Sequence, residues 1–207
     1  MSWKSQRIRD AVKNDGFMKV TAERGAMTRR ALEFFAEAIK HGIDGSPFLK
    51  QYLGPEVLLV PIPRSAPLKD QMALWVPRRI CEEFVKVGLG GAVLPLLRRT
   101  EAVQKAAFAR PGERPTPATH SRSIAVDRVQ DLTTLRFTRI TLVDDFVTRG
   151  ATFLGMQPVL ARAFPKHQIR CFALVRTESF KPITGILHPV EGTLSVDDWG
   201  KPSCTVP

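Results

Sequence analysis

The stretch ITLVDDFVTRGAT, residues 140 to 152, carries the densest chemistry in the chain. An apolar run ends in two adjacent carboxylates, Asp144 and Asp145, and a turn of small and hydroxyl-bearing residues follows at once. Two carboxylates at the end of a buried strand must find donors or a cation, because an unpaired buried charge is costly enough to force protonation instead. The vicinal hydroxyls of a sugar are suitable donors, and a divalent cation held through oxygen is the other common solution. Thr148, Arg149, Gly150, Ala151 and Thr152 then bring free backbone amides, hydroxyls and a helix start to one place, a setting that suits a phosphate. Each half alone is ordinary: V-D-D ends strands in receiver domains and metal-binding folds, and Thr caps many helices. Their contiguity describes a receptor for a ribose 5-phosphate.

A second loop has complementary chemistry. The run EVLLVPI, residues 56 to 62, reads as a strand buried on both faces, and it opens into PRSAPLKD, a Pro-punctuated basic loop. It carries Arg64 and Ser65, with Lys69 further along, and taken alone such basic Pro-containing loops are common on surfaces. Residues 98 to 123 are rich in Pro, Thr, Ser and Arg without sustained periodicity, and read as a long mobile loop. Such a loop is either a solvated linker or a functional segment, and His120 within it is exposed or touches ligand.

The elements that must position these residues alternate. The first fifteen residues are polar and basic and read as a loose arm. TRRALEFFAEAIKHGI, residues 28 to 43, has Leu32, Phe35, Ala36 and Ile39 at helical spacing, with Thr28 as its cap and Gly42 and Gly45 as stops. WVPRRICEEFVKVGLGG reads as a second helix, AVLPLL and SIAVD as short strands, RFTRITLVDD and IRCFALVR as buried strands, and ATFLGMQPVLARAF as a helix bent or split by Pro158. Strands alternating with helices imply a parallel α/β sheet flanked by helices, in which ligands sit beyond the carboxyl ends of the strands. The expected organisation is a single domain over 1–207: arm and helix over 1–50, core over 51–177, and an appendage over 178–207 built of short strands or loop.

Composition bounds the rest. The 207 residues are 43% hydrophobic, enough for a substantial core, and no run approaches the length of a membrane span. The polar N-terminus lacks the apolar centre of a signal peptide, so the expected location is cytoplasmic and no membrane partner is expected. Three scattered cysteines and four scattered histidines support neither a disulfide framework nor a metal cluster. A formal net charge of +11 fits a polyphosphate substrate, and it also fits nucleic acid.

With these residues in view, ITLVDDFVTRGAT resembles the phosphoribosylpyrophosphate (PRPP) signature of type I phosphoribosyltransferases, and the chain over roughly residues 56 to 177 is most similar to their ComF-like branch. The resemblance implies a Rossmann-like core with a small C-terminal hood. It implies a Mg²⁺-dependent enzyme that transfers the 5-phosphoribosyl group from PRPP to a small-molecule nitrogen acceptor with release of pyrophosphate. Asp144 and Asp145 then hold the ribose hydroxyls, and Thr148 to Thr152 hold the 5′-phosphate. Arg64, Ser65, Arg99 and Lys105 hold pyrophosphate, with Lys105 also counted as catalytic beside the two acids; Arg99, Gln104, Lys105 and Arg114 stand at places comparable to the family's mobile loop, a cationic lid that closes over the departing pyrophosphate. Mg²⁺ is carried by PRPP and reaches Asp144 and Asp145 through water, with no direct protein ligand. Two departures matter. Thr148 stands where members acting on 6-oxopurines carry an acid, so that acceptor class is not expected; and DQMALWVPRR replaces the Gly-Phe-Asn-Gln segment common after the pyrophosphate loop. In the hood, Trp199 is the candidate to stack on a flat base. A homodimer is compatible with the resemblance. Two other readings use the same residues: a PRPP- or nucleotide-binding regulator without catalysis, and a DNA-handling protein of the competence type with Arg7, Arg9, Lys13, Arg29 and Arg30 as its basic face.

Overall fold

The computed structural model describes residues 3–22, 25–68, 70, 72–104, 109, 113–127, 136–177 and 189–206. Its centre is a four-stranded parallel sheet in the order β4-β3-β7-β8, formed by β3 (Gly54–Pro61), β4 (Gly90–Val93), β7 (Arg139–Val147) and β8 (Gln168–Arg176). The central strand β3 has Val57, Leu58, Leu59 and Val60 at 0% exposure, which is why it reads as an unbroken apolar run rather than an alternating one. Its side chains still alternate. Val57 and Leu59 pack with α3 (Val76–Lys86), whereas Leu58, Val60 and Ile62 pack with α5 (Ala151–Ala163) on the opposite face. The mixed α/β architecture with helices on both faces is therefore set by strands that bury both sides.

The helices follow from their apolar stripes. In α3, Val76, Ile80 and Phe84 are buried at helical spacing, and the helix ends at Gly88, whose φ of +78° only glycine adopts readily. Helix α5 is continuous through Pro158: the ring faces outward, and the helix is neither split nor stopped there. Helix α2 (Ala31–Gly42) starts three residues later than its periodicity suggests. Thr28 does not cap it, because Gly25–Arg30 (β2) pairs antiparallel with Phe17–Ala22 (β1).

The N-terminal residues are not a loose arm. Trp3–Lys13 form α1, and Ala11 and Val12 are buried against the α2 and α3 side of the core. The chain leaves α1 through Asp15, with φ of 47°, a left-handed turn that Asp tolerates better than most residues. Its buried carboxylate takes Arg30 at 3.0 Å and Arg79 of α3 at 3.5 Å. Two apolar residues and one acid thus dock a segment whose average composition looks like solvent.

The segment 98–123 also has more structure than its composition suggests. Leu97–Arg99 (β5) pairs antiparallel with Ile124–Val126 (β6), and Pro117–Arg122 forms the short helix α4. Thr116 caps α4 by accepting from the Thr119 amide. Lys105 and Lys69 lie outside the described residues. Thr193–Val196 (β9) and Pro202–Thr205 (β10) close the chain as a hairpin. No helix among the described residues is long and apolar enough to cross a membrane.

Candidate functional site

Topology selects one crevice. The connection from β3 to β4 passes through α3 on one face, and that from β7 to β8 passes through α5 on the other. Between neighbouring strands whose connections diverge, the loops at the carboxyl ends separate and leave a cleft. The loop after β3 carries Arg64 and Ser65, and the turn after β7 carries Thr148 to Thr152. Both candidate loops therefore flank the same opening.

The two carboxylates sit in that opening. Strand β7 pairs with β3 only as far as Val143, with Ile62 N–H donating to Val143 O at 2.9 Å, while its pairing with β8 runs on to Val147. From Asp144 onward the β3-facing edge of β7 is open. Asp144 Oδ1 accepts from the Asp145 amide at 2.9 Å, and Asp145 Oδ1 accepts from the Phe146 amide at 2.8 Å, so one oxygen of each acid is satisfied locally. The remaining oxygen of Asp145 takes Lys13 Nζ at 3.2 Å, and that ammonium also lies 4.7 Å from the Phe146 ring centroid. Lys13, read from sequence as part of a basic outer face, belongs to the site.

Burial, and then the neighbouring Asp145 charge, push the Asp144 carboxyl well above the usual range. Arg99 is shifted down by burial, an effect that the charge of Asp144 partly offsets. The Cys171 thiol, on the β8 side, is pushed up to about 12 by burial and by Asp144. Asp144 is biased toward its protonated form and Asp145 is paired to Lys13, and both features lower the repulsion that two bare carboxylates would exert on an anionic ligand.

The turn after β7 differs in detail from its sequence reading. Gly150, not a threonine, is the residue before α5, with φ 77° and ψ 13°, and the helix begins at Ala151. A Cβ at Gly150 would lie 2.4 Å from Leu194 Cδ2 of β9, so the glycine admits the C-terminal hairpin as well as any ligand. Nothing in the spacing of the motif signals Leu194, whose contact depends on a strand over forty residues away in sequence. Thr148 and Thr177 share a hydrogen bond between hydroxyls at 2.6 Å, and the Thr148 and Arg149 side chains are exposed. Trp199 stands at the tip of the β9–β10 hairpin and is 93% exposed, so it is not a packed core tryptophan.

The remaining candidates divide. Arg64 is exposed and Ser65 half-buried beside the crevice. Arg99 is only 4% exposed and lies in β5, which places it beneath the loops rather than on a lid over them. Arg114 is exposed. Among the described residues no group of three or more His, Cys, Asp and Glu side chains is placed to hold a metal. Among the N-terminal cations, Arg9 reaches Asp10, Lys13 reaches Asp145, Arg29 reaches Glu37 and Arg30 reaches Asp15. Those pairings reduce the free positive charge available to a nucleic-acid backbone.

His120 is a half-buried helix residue rather than an exposed loop residue. It lies in α4 with Nδ1 buried and without a partner among the described residues, and its pKa is pushed down to about 4 by burial and then by the Arg99 charge. The unfolded chain takes up this proton near the ordinary value of 6.5, before the folded protein does. The contribution of neutral His120 is therefore fully present above that value and falls as pH drops through the window toward about 4. Discounted for partial exposure, the loss is on the order of 1 to 2 kcal/mol. Thermal melts of the parent and His120→Leu at pH 7.5 and 5 are expected to show a smaller acid-induced drop in the variant; equal drops would remove His120 as the cause.

No family model matches this chain, and no curated protein matches it either.

Proposed function

We propose that the protein binds PRPP in the crevice between β3 and β7 and acts as a phosphoribosyltransferase on a nitrogen acceptor other than a 6-oxopurine. The observation that carries the reading is the convergence of an acid pair, a helix-starting turn and a basic loop on one topological switch point. The acids accept from the ribose 2′ and 3′ hydroxyls, which calls for Asp144 in its ionised form and for Asp145 to exchange Lys13 for ligand. Amides at the start of α5, with the Thr148 and Thr152 hydroxyls, receive the 5′-phosphate. Arg64 and the loop around Ser65 receive the pyrophosphate and stabilise it as it departs, while the carboxylates oppose the positive charge that develops on the sugar. The acid pair offers too few oxygens for a protein cage but fits a cation completed by ligand and water; Mg²⁺ there would supply charge neutralisation on the leaving pyrophosphate.

The test is calorimetric titration of PRPP with Mg²⁺ into the parent protein and into a variant carrying both Asp144→Asn and Asp145→Asn. Saturable binding to the parent is expected, with loss of at least about a hundredfold in the variant, since two charge-assisted hydrogen-bond sites are removed. A parent protein that does not bind ends this reading. A binding-only role is the second reading, favoured by the Lys13–Asp145 contact, which keeps an acid engaged until ligand displaces it. Exchange of labelled pyrophosphate into PRPP in the presence of candidate bases separates the two: turnover supports the enzyme, and binding without exchange supports the regulator.

A further inference from the structure

The guanidinium of Arg99 is only 4% exposed, and among the described residues its hydrogen-bond partners are not carboxylates. Instead it donates from Nε to Arg64 O at 3.1 Å and from Nη1 to Ser123 Oγ at 2.6 Å. Ser123 Oγ in turn donates to Thr119 O at 2.8 Å, at the end of α4. A few residues on, the Val103 amide donates to Ser65 O at 2.7 Å. Two consecutive carbonyls of the loop after β3 are therefore turned toward the same segment, 99 to 103, whose end residues Arg99 and Val103 are buried.

In a trans peptide the N–H points opposite to the C=O of the same unit. With the Arg64 and Ser65 carbonyls held inward, the Ser65 and Ala66 amides face outward, on the side where Ala66 is exposed. Neither amide donates to another group among the described residues. Successive outward amides of this kind form an anion-binding concavity.

We infer that Arg99 is a positioning residue: it does not touch ligand but, through the Arg64 carbonyl, sets the peptide planes that aim the Ser65 and Ala66 amides at an anionic group. This rests on the reading of the crevice as a PRPP site, and it moves Arg99 from a pyrophosphate contact on a lid to a strut under the loop. The required chemistry is two donors diverging from one rigid plane, one to a carbonyl and one to a hydroxyl, which Lys cannot reproduce.

The test uses two probes, inorganic pyrophosphate and ribose 5-phosphate, each with Mg²⁺, titrated into the parent protein, Arg99→Lys and Arg99→Met, with thermal melts alongside. The expected result is selective: both variants lose pyrophosphate affinity by tenfold or more, while affinity for ribose 5-phosphate changes less than twofold. An Arg64→Ala protein, which keeps its carbonyl, is expected to lose less pyrophosphate affinity than Arg99→Met. Equal losses for both probes would mean that Arg99 serves only general stability and would overturn the inference. So would full affinity in Arg99→Lys, which would reduce the role to charge. If the parent binds PRPP but the Arg99 variants match it, the inference alone fails; if the parent binds none of the three compounds, both it and the PRPP reading fail.

Discussion

An Asp144→Asn protein is expected to bind PRPP with Mg²⁺ about ten- to a hundredfold more weakly than the parent and yet to be more stable at pH 8. The first effect is the loss of a charged acceptor for a ribose hydroxyl, roughly 1.5 to 3 kcal/mol. The second follows from burial. Desolvation and the Asp145 charge make the folded protein hold the Asp144 proton more tightly than the unfolded chain, whose value is near 3.8. Stability from this group is fully present below that value and is lost as pH rises through the raised folded pKa. At pH 8 the parent has therefore lost stability from this group, and Asn, which resembles the protonated acid in shape and carries no charge, avoids that loss, a gain of at least about 1 kcal/mol. The measurement is the difference in melting temperature between variant and parent at pH 8 and pH 4.5. A gap that is positive at pH 8 and narrows at pH 4.5 is expected; a destabilised variant at pH 8 would contradict the assignment. Stability surrendered at a binding site is a common trade, and the opposite signs of the two effects would mark Asp144 as functional rather than structural.

Gly155→Ala is expected to lower stability by about 2 kcal/mol, or roughly 4 to 8 °C in melting temperature for a chain of this size. Two effects compete at this position in α5. Alanine in place of glycine in a helix interior gains up to about 1 kcal/mol. Against that, the new Cβ would stand 2.3 Å from Pro117 O, 2.7 Å from His120 Cβ and 3.1 Å from Ser121 N, all in α4. Two of those three atoms are backbone, so no side-chain rotation relieves the overlap and α4 must move as a unit. The displacement carries Ser123, and with it a partner of Arg99. Gly42→Ala is the control: nothing lies within 4 Å of its Cβ position, and no loss is expected. If Gly155→Ala melts with the parent, the close packing of α4 on α5 is wrong.

These two residues show how unevenly the molecule is written in its sequence. Asp144 and Asp145 are legible because a doubled acid after an apolar run is rare chemistry with few physical solutions. Gly155 is not, because its reason is a neighbouring helix that composition reads as loop. The parallel strands β3 and β7 were legible as apolar runs, since strands buried on both faces lose their alternation; β8 was also read as buried, but it lies at the sheet edge and only its Val175 is buried. The helix α1 was hidden for the opposite reason: Ala11, Val12 and the paired Asp15 dock it, and three residues scarcely alter an average over fifteen.

By itself the sequence determined the element types of the core, the order of strand and helix, and the identity of the acids, hydroxyls and glycine around residue 150, because each follows from local pattern and side-chain chemistry. Only the tertiary structure decided which of these meet. It gave Asp145 to Lys13, turned Arg99 inward beneath the Arg64 loop, and set Leu194 against Gly150. Those contacts join positions far apart in the chain, and they depend on sheet order and helix docking, which nearest-neighbour spacing does not encode.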